Sequence, residues 1–429
     1  MGSGGGQELS EVQEIVALGR RAHARGEQLC LATVVRVEGS TYRKPGARML
    51  LTSGGQRAGT ISGGCLEAEV GRKAWWLSRH GPRVERYSSF SEEGEMPYGL
   101  GCGGTVWLLL EQGEPVDAVL AALEHGVSEG HAAAVVCALD GAGLLPDGSP
   151  EAETGPGPGT IAVWAASAAG APPRLLYTRN AALADSMLQT ACAALKSQAW
   201  IYLDSRGERR ADGGSGEQPG YSVEYLAPPP ALTIFGAGDD AQPLAELAHT
   251  LGWRVTVADG RAHLARRDRF PKATEVRVLE YADPALRASC GLTMAAARST
   301  QNGGNGTMVA EPFSRDGLAV ILTHSYEQDR ALLTSLLPQT LAYLGILGPR
   351  HRTERLLAEI TPGLGLTLDQ ALARLHSPVG LDLGAGEPAA VALSIVAEMQ
   401  AVLHRRRVSV ERLPAAGLAL QGERAKLAP

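Results

Sequence analysis

The stretch Leu232-Thr-Ile-Phe235-Gly236-Ala-Gly238-Asp-Asp-Ala241 decides the fold of the C-terminal half. A short apolar run reads as a buried strand, two closely spaced glycines break it, and a helical pattern follows. Gly236 permits the tight turn, and Gly238 lets the backbone approach a pyrophosphate. Ala241 stands where a third glycine would be and still allows close helix–strand packing. Amide groups and the helix dipole would then face an anion. Asp259 ends the next strand about twenty residues on, the spacing from which an acid bonds a ribose hydroxyl. Asp239 and Asp240 put negative charge at the mouth of this loop, where they either bind a metal or stabilise the helix N-terminus. The ligand class indicated is nucleotide-like; the two acids weigh against NAD(P), and the alternative is a Rossmann-like loop that binds nothing.

Outward from this loop, strands and helices alternate: Gln242–Leu251, Arg254–Ala258, Ala319–Thr323, Asp329–Leu337 and Leu341–Ile346. That is the pattern of a Rossmann-like, doubly wound parallel sheet in an α/β protein. Pro388 starts a last helix whose apolar face is Val391, Ile395, Met399 and Val402. The domain is read as 231–406, with a tail at 407–429, and Ala282–Gly317 has no pattern that can be read. Pro228-Pro229-Pro230 is a stiff spacer in front of it.

Before the spacer, 9–227 reads as an N-terminal α/β region behind a flexible leader at 1–8. Ser10 and Gln13 form a capping box that opens a helix ended by Gly26. Strands follow at Leu29–Val37 and Arg48–Thr52, then a helix near Cys65 or Leu66 and a strand at Thr105–Glu111. Val116–Gly126 and Ala132–Ala138 repeat the opening helix–strand order, so the region divides into two similar halves, 9–112 and 113–227. Asp140–Gly159 and Ser205–Gly220 are loops rich in Gly, Pro and charge.

The net charge of −6 argues against non-specific nucleic-acid binding, and no apolar run is long enough to span a membrane. Six cysteines without paired spacing and an N-terminus without an apolar signal segment suit a cytoplasmic protein. Cys30, Cys137 and Cys192 sit in apolar patterns and read as core. Cys65, in Gly63-Gly64-Cys65, and Cys102, in Gly101-Cys102-Gly103-Gly104, are flanked by glycines that let a ligand approach the sulfur. They are either reactive thiols or small hydrophobes in tight turns. Arg43, Lys44 and Arg48 around Pro45-Gly46 either receive a phosphate or form a solvated turn.

Taken in order, several blocks resemble one family. They are Gly39-Ser-Thr-Tyr-Arg43-Lys-Pro45-Gly46-Ala-Arg48-Met49, Gly59-Thr-Ile-Ser-Gly63-Gly64-Cys65-Leu-Glu67-Ala and Gly99-Leu-Gly101-Cys102-Gly103-Gly104. Ile234-Phe-Gly236-Ala-Gly238, Thr323-His324, Tyr343-Leu-Gly345-Ile-Leu-Gly348-Pro-Arg350 and His376-Ser-Pro378-Val-Gly380-Leu-Asp382-Leu-Gly384 complete the series. The chain resembles the XdhC/CoxI family of xanthine dehydrogenase accessory proteins. Asp239-Asp240-Ala241 and Pro349 depart from the family's usual residues.

The resemblance implies a chaperone that binds the molybdenum cofactor, as molybdopterin or its nucleotide form. It also implies sulfuration of that cofactor with a cysteine desulfurase and insertion into a molybdenum hydroxylase, with the chaperone acting as a homodimer. The cofactor-binding residues it implies are Arg43, Arg48, Gly63, Gly64, Cys65, Cys102 and Gly103, with Cys65 and Cys102 at the molybdenum. Gly236, Gly238 and Asp259 would hold a phosphate-bearing ligand. The alternative is an NAD(P)-dependent oxidoreductase, for which no nucleophile–base constellation stands out.

Overall fold

The computed structural model describes residues 10–64, 66–88, 104–139, 157–167, 171–204, 209–210, 220–279, 317–384 and 386–404. The leader at 1–8, the tail at 407–429 and nearly all of the three pattern-free loops lie outside them.

The first unit runs α1 (Glu11–Ala24), β1 (Leu29–Glu38), β2 (Arg48–Thr52), β3 (Arg57–Gly59), α2 (Glu67–Leu77), β4 (Arg83–Ser88) and β5 (Thr105–Gln112). Ser10 caps α1 through the expected box with Gln13. The second unit runs α3 (Glu114–Glu129), β6 (Ala133–Ala138), β7 (Gly159–Ala165), β8 (Arg174–Thr178), α4 (Ala181–Ser197), β9 (Ile201–Leu203), β10 (Arg209–Arg210) and β11 (Tyr221–Leu226). All pairings in both sheets are antiparallel. The first sheet is ordered β3-β2-β1-β5-β4 and the second β10-β9-β11-β6-β7-β8. In each, the opening strand is central, its successor lies on one side and the unit's last strand on the other. The second unit adds only the two-residue β10 at its edge.

Packing follows the same duplication. α2 covers the outer face of the first sheet with Leu66, Val70 and Ala74. α4 covers the outer face of the second with Leu183, Met187 and Ala191. The inner faces share one core with α1 and α3, in which Leu31 and Leu109 of one sheet meet Val135 and Val163 of the other. Two polar pairs cross this core. Arg48 of β2 meets Glu224 of β11, and Thr160 of β7 meets Glu111 of β5. Because β2 matches β7 and β5 matches β11 in the two units, these pairs are counterparts.

After the proline spacer come β12 (Ala231–Phe235), α5 (Ala241–Thr250), β13 (Arg254–Asp259), β14 (Glu275–Val278), β15 (Leu318–Ile321), α6 (Tyr326–Leu336), β16 (Tyr343–Ile346), α7 (Arg350–Leu364), α8 (Leu368–Leu372) and α9 (Pro388–Leu403). The sheet is wholly parallel, ordered β14-β13-β12-β15-β16. α5 and α9 cover one face through Leu244, Ala248, Ile395 and Met399. α6, α7 and α8 cover the other through Leu333, Leu336, Leu357 and Ala371. Both faces being covered explains why β12, β13, β15 and β16 are rich in buried apolar residues, while the edge strand β14 (Glu-Val-Arg-Val) is not. The strand order reverses between β12 and β15, the position at which α/β sheets bind ligands.

Candidate functional site

Three glycine-bearing blocks meet at one end of the central strands of the first sheet. Glu38 pairs with Thr105, so the chain leaving β1 at Gly39 runs beside the chain entering β5 at Gly104. A side chain at Gly104 would strike the Ser40 carbonyl and come within 2.7 Å of the Thr41 methyl. Tyr42 in turn lies on Gly63, where an added Cβ would be 2.8 Å from two ring carbons. Gly63 also has a φ of 84°, which a side chain rarely adopts. Cys65, Cys102 and Gly103 lie outside the described residues, although Gly64, Leu66 and Gly104 beside them are described.

The loop before α2 is folded around an anion of its own. The Glu67 carboxylate accepts from the amides of Ile61 at 3.0 Å, Ser62 at 2.9 Å, Gly63 at 3.2 Å and Gly64 at 2.8 Å. Ser62 Oγ donates to it at 2.7 Å. Successive amides turned inward make an anion-binding nest. Glu67 is 3% exposed. Burial pushes its pKa up, but the Ser62 hydroxyl and the amides outweigh burial and hold it at about 2. The amides of Gly63 and Gly64 therefore serve the chain's own carboxylate.

The arginines of the first block are also committed. Arg48 is buried and grips Glu224 with both terminal nitrogens, one at 2.8 Å, while its Nη1 also donates to the Gly46 carbonyl at 2.8 Å. A phosphate-receiving role for Arg48 is corrected on this ground: its charge is neutralised inside the inter-sheet core. Arg43 pairs with Glu11, which also accepts from the Thr60 amide at 2.7 Å and the Thr60 hydroxyl at 3.0 Å. Cys30 and Cys137 are buried as expected. Desolvation raises the Cys30 thiol to about 11 and pushes Cys137 up as well, so neither is a reactive thiolate. Cys192 is half-buried on α4.

At the parallel sheet's reversal point, Gly236 turns with a φ of 122° against the end of β15, and a Cβ there would collide with the Leu322 carbonyl. Gly238 meets only the Asp240 side chain. Asp259 is 0% exposed. It accepts from the Ala237 amide at 2.7 Å, and from the Arg261 amide, Nε and Nη2 at 2.8, 3.0 and 2.7 Å. Burial raises its pKa, but these bonds outweigh it and the net shift is downward. Asp259 thus ties the glycine turn to the chain after β13. The ribose-binding role is corrected, because four donors already occupy a carboxylate that solvent does not reach.

The two acids at the loop mouth are paired as well. Asp239 meets Arg269 at 2.6 Å, and Asp240 meets Nε2 of His324 at 2.9 Å across the reversal point. His324 has a φ of 59°, uncommon for a residue with a side chain. Among the described residues, no group of three or more His, Cys, Asp or Glu could hold a metal. No described helix is long and apolar enough to cross a membrane. Sequence reasoning missed the anchoring role of Glu67 and the partners Glu11 and Glu224. Only Glu67 left a signal: an acid three residues past a glycine pair, at the start of a helix.

The comparisons agree with this geometry. Residues 22–88 match the model of the XdhC and CoxI family, and residues 232–399 match that of the XdhC Rossmann domain. A Bacillus subtilis protein described as a probable xanthine dehydrogenase component is 27% identical over 90% of this chain and 95% of its own length. An uncharacterized Escherichia coli protein is 29% identical over 40% of this chain and 27% of its own length. A crystal structure described as a xanthine dehydrogenase from Bacillus halodurans superposes with a TM-score of 0.62 at 25% identity, covering 93% of this chain and 98% of the other.

Proposed function

The chain belongs to the XdhC and CoxI family, and from that premise we propose that it is an accessory protein of a xanthine-dehydrogenase-like molybdenum hydroxylase. Its cargo is the molybdenum cofactor, as molybdopterin or its nucleotide form, which it holds for sulfuration with a cysteine desulfurase and for insertion into the hydroxylase. The observation that carries this reading is the convergence of Ser40–Tyr42, Gly63 and Gly104 at one end of the first sheet's central strands. Cys65 and Cys102, which neighbour these glycines in sequence, are the residues that would meet the cofactor. Thiolates suit a soft metal centre. The residues around them need only bind and release, so no nucleophile with a paired base is required.

The Rossmann loop would favour an NAD(P)-dependent oxidoreductase. The burial of Asp259 weighs against it, since solvent does not reach the carboxylate that would bond a ribose and four donors already occupy it. The test is equilibrium ultrafiltration with freshly released cofactor, beside a titration with NAD(H). Retention at roughly micromolar affinity, about 8 kcal/mol, is expected. Cys65→Ala and Cys102→Ala should reduce retention without lowering the melting temperature. Full recovery of cofactor in the flow-through would sink the reading, and tight NAD(H) binding with hydride transfer would replace it.

A further inference from the structure

Between α1, the segment 42–48 and the end of β11 lies an open cleft of about 460 Å³, a size typical of small-molecule sites. Val12, Ile15, Leu123 and Leu226 give it apolar walls. Its charges are nearly all answered, Arg43 by Glu11 and Arg48 by Glu224. Lys44 is exposed on the rim and has no ion-pair partner among the described residues. The cleft therefore presents one uncompensated positive charge beside apolar surface. That combination selects an anion with an apolar body.

Tyr42 stands on the same rim and is 74% exposed, the highest value among the large exposed hydrophobic side chains of the described residues. Its ring rests on Gly63, where a side chain would displace it. An aromatic ring left in water forgoes a large burial energy and is poised to regain it by stacking.

We propose that this cleft binds a planar anionic heterocycle, stacked on Tyr42 with its anionic group at Lys44. Resting on the cofactor-binding reading, that heterocycle is the phosphorylated pterin portion of the cargo. The internally paired arginines shape the walls and leave Lys44 to supply the attraction. Because Tyr42 also touches Gly63, a ligand stacked on its ring lies next to the glycine loop that leads to Cys65.

The experiment titrates the full chain with two fluorescent probes, anionic 6-carboxypterin and uncharged 6-methylpterin, and follows quenching. Tyr42→Leu should weaken both by about 3- to 10-fold, the scale of aromatic stacking. Tyr42→Phe should bind both as the wild type does. Lys44→Gln should weaken only the anionic probe, by several-fold. Because both side chains are solvent-exposed, melting temperatures should not change. Failure of the wild type to bind either pterin, or Tyr42→Leu binding both unchanged, would overturn the proposal, as would displacement of neither pterin by the intact cofactor. Cofactor retention by ultrafiltration is measured on the same proteins. Retention unchanged in both variants sinks the cleft and leaves the chaperone role standing. Tyr42- and Lys44-dependent pterin binding without cofactor retention supports the cleft and sinks the chaperone role.

Discussion

Glu67 holds the glycine loop together, because four amides and a hydroxyl converge on one buried carboxylate. Its pKa falls from 4.5 to about 2 on folding, so the bound form is the ionised one. A depressed acid stabilises fully above its unfolded pKa, and that stability is lost as pH falls toward the folded one. The shift corresponds to about 3 kcal/mol, present at pH 7 and draining away between pH 4.5 and pH 2. Glu67→Gln should therefore be destabilised by up to that amount at pH 7, with the gap closing toward pH 2 in urea melts. An equal gap at both ends would show that the nest does not depend on charge. The turn glycines of this site were legible in sequence, since the backbone freedom that Gly63 uses follows from residue type. The charged partners were not. Arg48 finds Glu224 across 176 positions of chain, and no local spacing reveals such a pair. Asp259 was misread for a related reason: its place after the second strand is that of a ribose ligand, and only burial distinguishes a tether from a binding group.

The turn between β12 and α5 holds two glycines whose surroundings differ. Gly236→Ala should cost several kcal/mol, because its Cβ meets the Leu322 backbone and its φ is left-handed. Gly238→Ala needs only the Asp240 side chain to move and should cost well under half as much. Chemical melts of the two variants check this, and equal losses would refute it. The parallel strands β12, β13, β15 and β16 were legible because both their faces are buried and apolar, whereas the edge strand β14 (Glu-Val-Arg-Val) passed unread. β4, β7, β8 and β11 were not legible, because β4 (Arg-Val-Glu-Arg-Tyr-Ser) is charged and the others border loops rich in Gly, Pro and charge. Between the sheets, burial raises the pKa of Glu111. A raised acid supports folding below its unfolded pKa and loses that support as pH rises through the folded one. Glu111→Gln can keep both contacts to Thr160. Its stability relative to wild type should therefore climb from pH 4 to pH 8. A flat difference across that range would mean that Glu111 titrates alike in both states.

At the scale of the whole chain, cores decide which parts unfold together. Among the described residues, the clusters of the C-terminal domain contain no residue before Leu232, and those of the N-terminal region contain none after Leu226. The contacts that cross the spacer are few and local, such as Gly252 beside Ser10 and Arg254 beside Gly130. The duplicated N-terminal units are different. They share the core between their sheets, and the Arg48–Glu224 and Glu111–Thr160 pairs stitch each unit to the other. Neither unit can expose its inner face without exposing its partner's, so both should melt as one. Calorimetry should accordingly resolve two transitions, where the proline spacer and not the repeat boundary sets the division. Glu224→Ala strands Arg48 in the core, at a cost of about 3–5 kcal/mol. It should lower the N-terminal transition alone, and protease protection should fall together in both units. Leu333→Ala opens a cavity beneath α6, at a cost of about 2–5 kcal/mol, and should lower only the other transition. If Glu224→Ala instead left one N-terminal unit protected while the other opened, the shared core would not be what joins them.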